Sequence, residues 1–132
     1  MGDRRRILVV DDDPSNLNLV HHILESLGYE AELVDNGSDA LDKLRSDIQM
    51  VLLDAMMPGM NGFKVAERIR HDPAFRNVPI IMVTVLSGTE DRRRAFDAGV
   101  NDFVSKPIDR LELKTRMESL FKVREIQAET EG

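Results

Sequence analysis

The chain has 132 residues, with 24 Asp and Glu against 18 Lys and Arg, for a net charge of −6. That length suits one domain with a core of its own, and the acidic balance argues against a direct hold on nucleic acid. The absence of cysteine excludes disulfides, thiolate metal sites and cysteine nucleophiles and suits a reducing cytoplasm, and no apolar run approaches the roughly 18 residues of a membrane helix.

The first apolar run, Ile7-Leu8-Val9-Val10, is continuous and predicts a strand buried on both faces. Asp13-Pro14 then opens a helix as cap and first-turn proline. Leu17, Val20, Ile23, Leu24 and Leu27 share one face of that helix, and Gly28 closes it. Tyr29 to Val34 alternates, with Tyr29, Ala31 and Leu33 set against Glu30 and Glu32, which predicts an edge strand. Asn36-Gly37-Ser38 leads into a short helix marked by Ala40, Leu41 and Leu44. A third strand follows at Met50-Val51-Leu52-Leu53, then a helix marked by Val65, Ala66 and Ile69 that must end before Pro73. Pro79 to Val83 predicts the fourth strand, and Arg92 to Ala98 the fourth helix, closed by Gly99. Phe103-Val104 marks the fifth strand; Leu113, Met117, Leu120 and Phe121 mark the last helix, with Asp109 as its cap. The order βαβαβαβαβα with right-handed crossovers predicts a doubly wound α/β fold, a five-stranded parallel sheet with helices on both faces. With the alternating strand at an edge, the strand order is 2-1-3-4-5. Residues 122–132 lose apolar content and read as a helix tail or linker.

Polar residues gather where strands end: Asp11, Asp12 and Asp13 after the first, Asp54 after the third, Thr84 at the fourth and Lys106 at the fifth. In such sheets ligands bind at the carboxyl ends of the strands, where the strand order reverses. That point lies between strands one and three, so Asp11, Asp12 and Asp54 meet there, with a hydroxyl and an ammonium beside them. Carboxylates sharing a pocket repel unless a cation neutralises them, and oxygen donors without His or Cys suit Mg²⁺. A carboxylate is also a nucleophile toward phosphorus, and a phosphoryl group placed on it needs a metal and a positive side chain on its oxygens. These residues together predict phosphoryl transfer onto an aspartate.

Four segments carry a resemblance: Val9-Val10-Asp11-Asp12-Asp13-Pro14, Val51-Leu52-Leu53-Asp54-Ala55-Met56-Met57-Pro58-Gly59-Met60-Asn61-Gly62, Val83-Thr84 and Ser105-Lys106-Pro107. Over about residues 5–121 the chain resembles the receiver domain of two-component response regulators. The resemblance implies a flavodoxin-like fold, with Asp54 as phosphoacceptor. It implies Mg²⁺ bound directly by Asp12 and through water by Asp11, with Asp54 and the Met56 carbonyl among its ligands. Thr84 would bond a phosphoryl oxygen and draw its loop inward, and Lys106 would pair with another. Phe103 stands at the family's rotating aromatic switch, and Lys106-Pro107 at its cis peptide. Residues 1–121 would then form a cytoplasmic, non-enzymatic regulatory domain. Its phosphoryl donor would be a sensor histidine kinase or phosphotransfer protein, and residues 122–132 would lead toward an effector or a covalently linked output domain. Arg94, Asp97, Asp102, Glu112 and Arg116 resemble positions by which some receivers dimerise on phosphorylation, through the fourth helix, fifth strand and fifth helix. Asn101 stands where those proteins have Asp. Residues 13–19 resemble receivers attached to cyclic-dinucleotide enzymes or hybrid kinases.

Other residues read more plainly. Asp13 is a cap, His21 and His22 are adjacent and so point to different helix faces, and His71 sits near a helix end. Arg92-Arg93-Arg94, interleaved with Glu90, Asp91 and Asp97, reads as a solvated helix face, and Met56, Met57 and Met60 as packing of a loop. Three departures from the family stand out. Val85 replaces a small residue and would narrow access to Asp54. Met56 and Leu86 are apolar where the family tunes loss of the phosphoryl group to water, which predicts a long-lived phosphoform. Phe103 lacks a hydroxyl. A haloacid-dehalogenase-like Mg²⁺-dependent phosphatase, the alternative, needs a second Asp two residues after the nucleophile, where Met56 stands. A flavin mononucleotide carrier needs a hydroxyl-rich phosphate loop, where Asp11 to Asp13 would repel the phosphate.

Overall fold

A computed structural model describes residues 4–85 and 88–131, with side chains through residue 127. Five strands, β1 (Arg6–Val10), β2 (Glu30–Val34), β3 (Ile48–Leu53), β4 (Ile80–Thr84) and β5 (Asp102–Ser105), form one parallel sheet of order β2-β1-β3-β4-β5. Between and after them run α1 (Pro14–Ser26), α2 (Gly37–Lys43), α3 (Gly62–His71), α4 (Thr89–Asp97) and α5 (Arg110–Glu131). This is the doubly wound architecture expected from the sequence. Among the described residues no helix is long and apolar enough to cross a membrane.

The two faces of the sheet follow from the period-2 alternation of strand side chains. Leu8, Val10, Val51, Leu53, Ile80, Met82 and Phe103 point to one face, against Ala40, Phe63, Val65, Ala66, Ile69 and Ala95 of α2, α3 and α4. Ile7, Val9, Met50, Leu52, Ile81, Val83 and Val104 point to the other, against Val20, Ile23 and Leu24 of α1 and Leu113, Met117 and Phe121 of α5. Each fully buried Leu, such as Leu24, would cost about 2–5 kcal/mol if cut back to Ala. No residue of β2 except Val34 is fully buried, as its alternating sequence predicts for an edge.

Helix ends obey local chemistry. Asp13 caps α1, its carboxylate accepting from the Ser15 N–H at 2.9 Å, and Pro14 supplies the first turn. Asn36 and Asn61 cap α2 and α3 in the same way, at 2.8 and 3.0 Å. Several boundaries differ from the sequence reading; α4, for one, begins at Thr89 rather than Arg92. β3 begins at Ile48 because Arg6 pairs with Ile48 and Ile7 with Met50, so Gln49 is an extra residue bulged out of the ladder. α5 runs unbroken past residue 121 to Glu131, so this stretch is helical, one of the two forms read from the sequence. Its continuation is fastened to the domain: Arg5 lies over the Phe121 ring at 4.0 Å and pairs with Glu125 at 2.6 Å, and Arg124 donates to the Asn77 carbonyl at 2.6 Å.

Candidate functional site

The carboxyl ends of β1 and β3 lie side by side, and the Asp54 N–H donates to the Val10 carbonyl at 2.9 Å. This pairing brings the acidic turn after β1 against Asp54. The consecutive aspartates of that turn have different fates. Asp13 is spent on the α1 cap, Asp12 is exposed, and Asp11 is buried at 5% exposure. One Asp11 oxygen accepts from the Asp13 N–H at 2.9 Å, which fixes the turn; the other accepts from the Lys106 ammonium at 2.8 Å. Carboxylate oxygens of Asp11, Asp12 and Asp54 lie within 4.8 Å of one another.

Asp54 is 6% exposed, and its Oδ1 accepts from the Met56 N–H at 3.3 Å. Lys106 Nζ stands 3.4 Å from its Oδ2. Gly62 closes the loop beneath: its N–H donates to the Ala55 carbonyl at 3.0 Å, and a Cβ there would collide with the Asp54 carbonyl oxygen. Only glycine permits that approach. Lys106 reaches the site from the end of β5, where its N–H donates to the Thr84 carbonyl at 2.9 Å and its bond to Pro107 is cis. Thr84 is wholly buried at the end of β4.

The electrostatics are those of an under-neutralised acidic pocket. Burial raises the Asp54 carboxyl above the usual range; Lys106 opposes that, Asp11 adds to it, and the Met56 N–H opposes it. Burial pulls the Lys106 ammonium down, yet its hydrogen bond to Asp11 and the charges of Asp54 and Asp11 outweigh that and leave it raised. One ammonium facing a cluster of three carboxylates leaves an excess of negative charge. The donors are oxygens only, the chemistry of a hard divalent cation.

The structure thus brings together Asp11, Asp12, Asp54 and Lys106. Met56 contributes its N–H while its side chain is exposed, and Val85 is exposed at 67%. Leu86 lies outside the described residues. Phe103 is buried on the α2–α4 face of the sheet. His21 and His22 depart from expectation, since their rings stack at 5.9 Å where diverging directions were expected. His71 ends α3 with Nδ1 2.8 Å from the Glu67 carbonyl. The arginines of α4 are exposed as expected, but Arg92 lies over the Phe103 ring at 5.7 Å and Arg94 over the Phe63 ring at 4.1 Å. Charge patterning could not reveal those contacts. An arginine placed at helical spacing from a ring-bearing element would have been the only hint.

Asn101 is engaged inside the chain. Its Oδ1 accepts from the Ile80 N–H and from the Arg70 guanidinium, both at 2.8 Å. Asp102 is likewise paired internally with Arg116 at 3.2 Å.

Known proteins share both sequence and fold with this chain. The response regulator PleD of Caulobacter vibrioides is 40% identical over 87% of the chain. The cyclic di-GMP phosphodiesterase response regulator RpfG of Xanthomonas campestris pv. campestris is 37% identical over 90% of it. The chain spans only 26% of the first and 32% of the second, so it corresponds to one part of each. The receiver domain of a sensor histidine kinase from Pseudomonas aeruginosa PAO1, solved with a magnesium ion in its active-site cleft, superposes with a TM-score of 0.81. That domain is 32% identical, and the match covers 89% of this chain and 98% of that one. The family description "Response regulator receiver domain" matches residues 7–118, a span that begins in β1 and ends within α5 and so takes in every element of the site. With its acidic cluster at the switch point of a 2-1-3-4-5 sheet, the chain belongs to the response regulator receiver domain family.

Proposed function

We propose that this receiver domain relays signals by accepting a phosphoryl group on Asp54 from the phosphohistidine of a sensor kinase or phosphotransfer protein. The observation that carries this reading is the setting of Asp54: a buried carboxylate held by the Met56 N–H, with the Lys106 ammonium and a second buried aspartate beside it. The donor set fits Mg²⁺, which Asp11, Asp12, Asp54 and the Met56 carbonyl would hold; the magnesium-bound Pseudomonas receiver supports that choice. When bound, Mg²⁺ supplies neutralising charge to the phosphoryl oxygens.

The chain's own residues do the rest. An Asp54 carboxylate oxygen attacks phosphorus, the bond from phosphorus to the donor imidazole nitrogen breaks, and the imidazole leaves with a proton from water. Lys106, already within ion-pair distance of Asp54, exchanges part of its hold on the carboxylates for a phosphoryl oxygen. Thr84 bonds another oxygen and draws the loop after β4 inward, and Phe103 couples that movement to the α4–β5–α5 face. The domain is regulatory: it supports only its own phosphorylation and dephosphorylation, in the cytoplasm, and passes the state to an effector or an output domain joined through α5. A homodimer through α4–β5–α5 would form on phosphorylation, with Asp102 and Arg116 exchanging their internal pairing for a partner's.

Intact mass after incubation with a small phosphodonor, with and without Mg²⁺, tests the chemistry beside Asp54→Asn. One added phosphoryl group requiring both Mg²⁺ and Asp54 is expected. No adduct with sustained release of inorganic phosphate would point to a hydrolase instead. An unchanged monomer mass in solution after phosphorylation would remove the homodimer.

A further inference from the structure

α4 is thinly anchored. Of its nine residues only Ala95 is buried, and Gly88 at its N-terminus offers no side-chain cap. Two exposed arginines hold it to the body through rings on either side, Arg94 over Phe63 of α3 and Arg92 over Phe103 of β5. The second contact falls on the switch ring. Phe103 is 7% exposed and lines a cleft of about 180 Å³ together with Arg92, Phe96, Asp102, Ser105, Glu112 and Arg116. Among the described residues no acid lies within ion-pair distance of the Arg92 guanidinium, although Glu112 and Asp102 share the cleft, the latter paired with Arg116 at 3.2 Å. The ring is therefore its partner.

A phenylalanine has no hydroxyl with which to hold itself in place, so its rotamer depends on packing and on what covers its face. A cation within about 6 Å of a ring centroid is attracted to it by the ring quadrupole, even at an exposed site. We propose that Arg92 is a positioning residue for the Phe103 ring, a cationic lid on α4 that holds the ring in its buried rotamer before any phosphoryl group arrives. The inference rests on the reading of Phe103 as the switch. Its consequence is that the ring and α4 move together: the ring leaves its pocket more readily when Arg92 swings off it, and a ring held inward biases α4 toward its docked position. An exposed contact of this kind shifts a two-state equilibrium by about two- to fivefold. That is enough to tune a switch and too little to lock it.

Uniform labelling with 4-fluorophenylalanine places a ¹⁹F reporter on each of the five Phe rings, and Phe103→Leu assigns the relevant resonance. In the unphosphorylated chain, Arg92→Met should move the Phe103 resonance toward its solvent-exposed position, with a two- to fivefold loss of the buried population. Arg92→Lys, which keeps the cation, should restore it, and in the methionine variant the folded-to-unfolded ratio read from the urea midpoint should fall by no more than that same two- to fivefold. A Phe103 resonance unmoved by Arg92→Met overturns the proposal. A lysine variant that behaves like methionine overturns it as well, because the contact would then be apolar stacking alone. These readouts need no phosphoryl transfer. Failure of Asp54 to take up phosphate would strike the proposed function and leave the ring measurement standing.

Discussion

The two ends of the parallel sheet handle buried charge in opposite ways. At the amino ends of β4 and β5, the half-buried Arg70 guanidinium donates to the Gly99 and Val78 carbonyls and to Asn101 Oδ1, each at 2.8 Å. Gly99 has φ +103°, and a side chain there would collide with the Arg70 stem, so the turn and the arginine fit only together. At the carboxyl end, acidic groups crowd around the Lys106 ammonium, the one ammonium facing them among the described residues. One end is saturated with complementary partners and serves as a clamp. The other is left short of positive charge and is less stable for it. Stability given up at a binding site and recovered elsewhere in the fold is the general pattern for functional sites.

The comparison can be broken first at Lys106. Lys106→Met should slow phosphoryl uptake by about 10²–10³-fold, the usual scale for losing one preorganised electrostatic partner. Intact-mass time courses with a small phosphodonor would show it; an unchanged rate would mean the ammonium serves only the resting carboxylates. At the opposite end, Arg70→Met should cost roughly 2–3 kcal/mol, since it orphans several acceptors at once. A urea midpoint that barely moves would show that water replaces the guanidinium without loss.

A smaller effect of opposite sign sharpens the contrast. The Asp54 carboxyl is raised by burial and by Asp11, so the folded chain holds this proton more tightly than the unfolded chain does. Stability contributed by the protonated form is therefore lost as pH rises from the ordinary carboxylate range through the raised value, and at neutral pH Asp54 is a burden. In EDTA at pH 7, Asp54→Asn should stabilise the domain by about 1 kcal/mol, and the gain should vanish in acid. Mg²⁺ should stabilise the unmodified chain more than the variant. Destabilisation by Asp54→Asn at neutral pH would contradict the picture of an under-neutralised pocket. The smallest effect belongs to the exposed Arg5–Glu125 pair: Glu125→Gln should change stability by at most about 0.5 kcal/mol. A larger loss would make the α5 continuation an integral part of the domain.

Much of this molecule was legible in the order of its residues. Hydrophobic period and cap chemistry are local properties, so strands such as Ile7 to Val10 and the Asp13-Pro14 helix start could be read directly, and the edge position of β2 followed from its glutamates. The meeting of Asp11, Asp12, Asp54 and Lys106 followed from one topological rule, because the carboxyl ends of neighbouring parallel strands must lie together. What local pattern could not supply was the partner of each long, flexible side chain. Arg70 spans to Asn101 across 31 positions, and Arg5 reaches Glu125 across 120. Arg92 and Arg94 look alike in sequence yet settle on rings from β5 and α3. Arginine conceals its choice in this way, because a charged head on a mobile stem is compatible with solvent, carboxylate, carbonyl or ring. Only the tertiary packing, by fixing which of these lies within reach, decided among them. The sequence by itself determined where the charges of the site would gather; the fold decided which arginine would clamp the opposite end and which would cover the Phe103 ring.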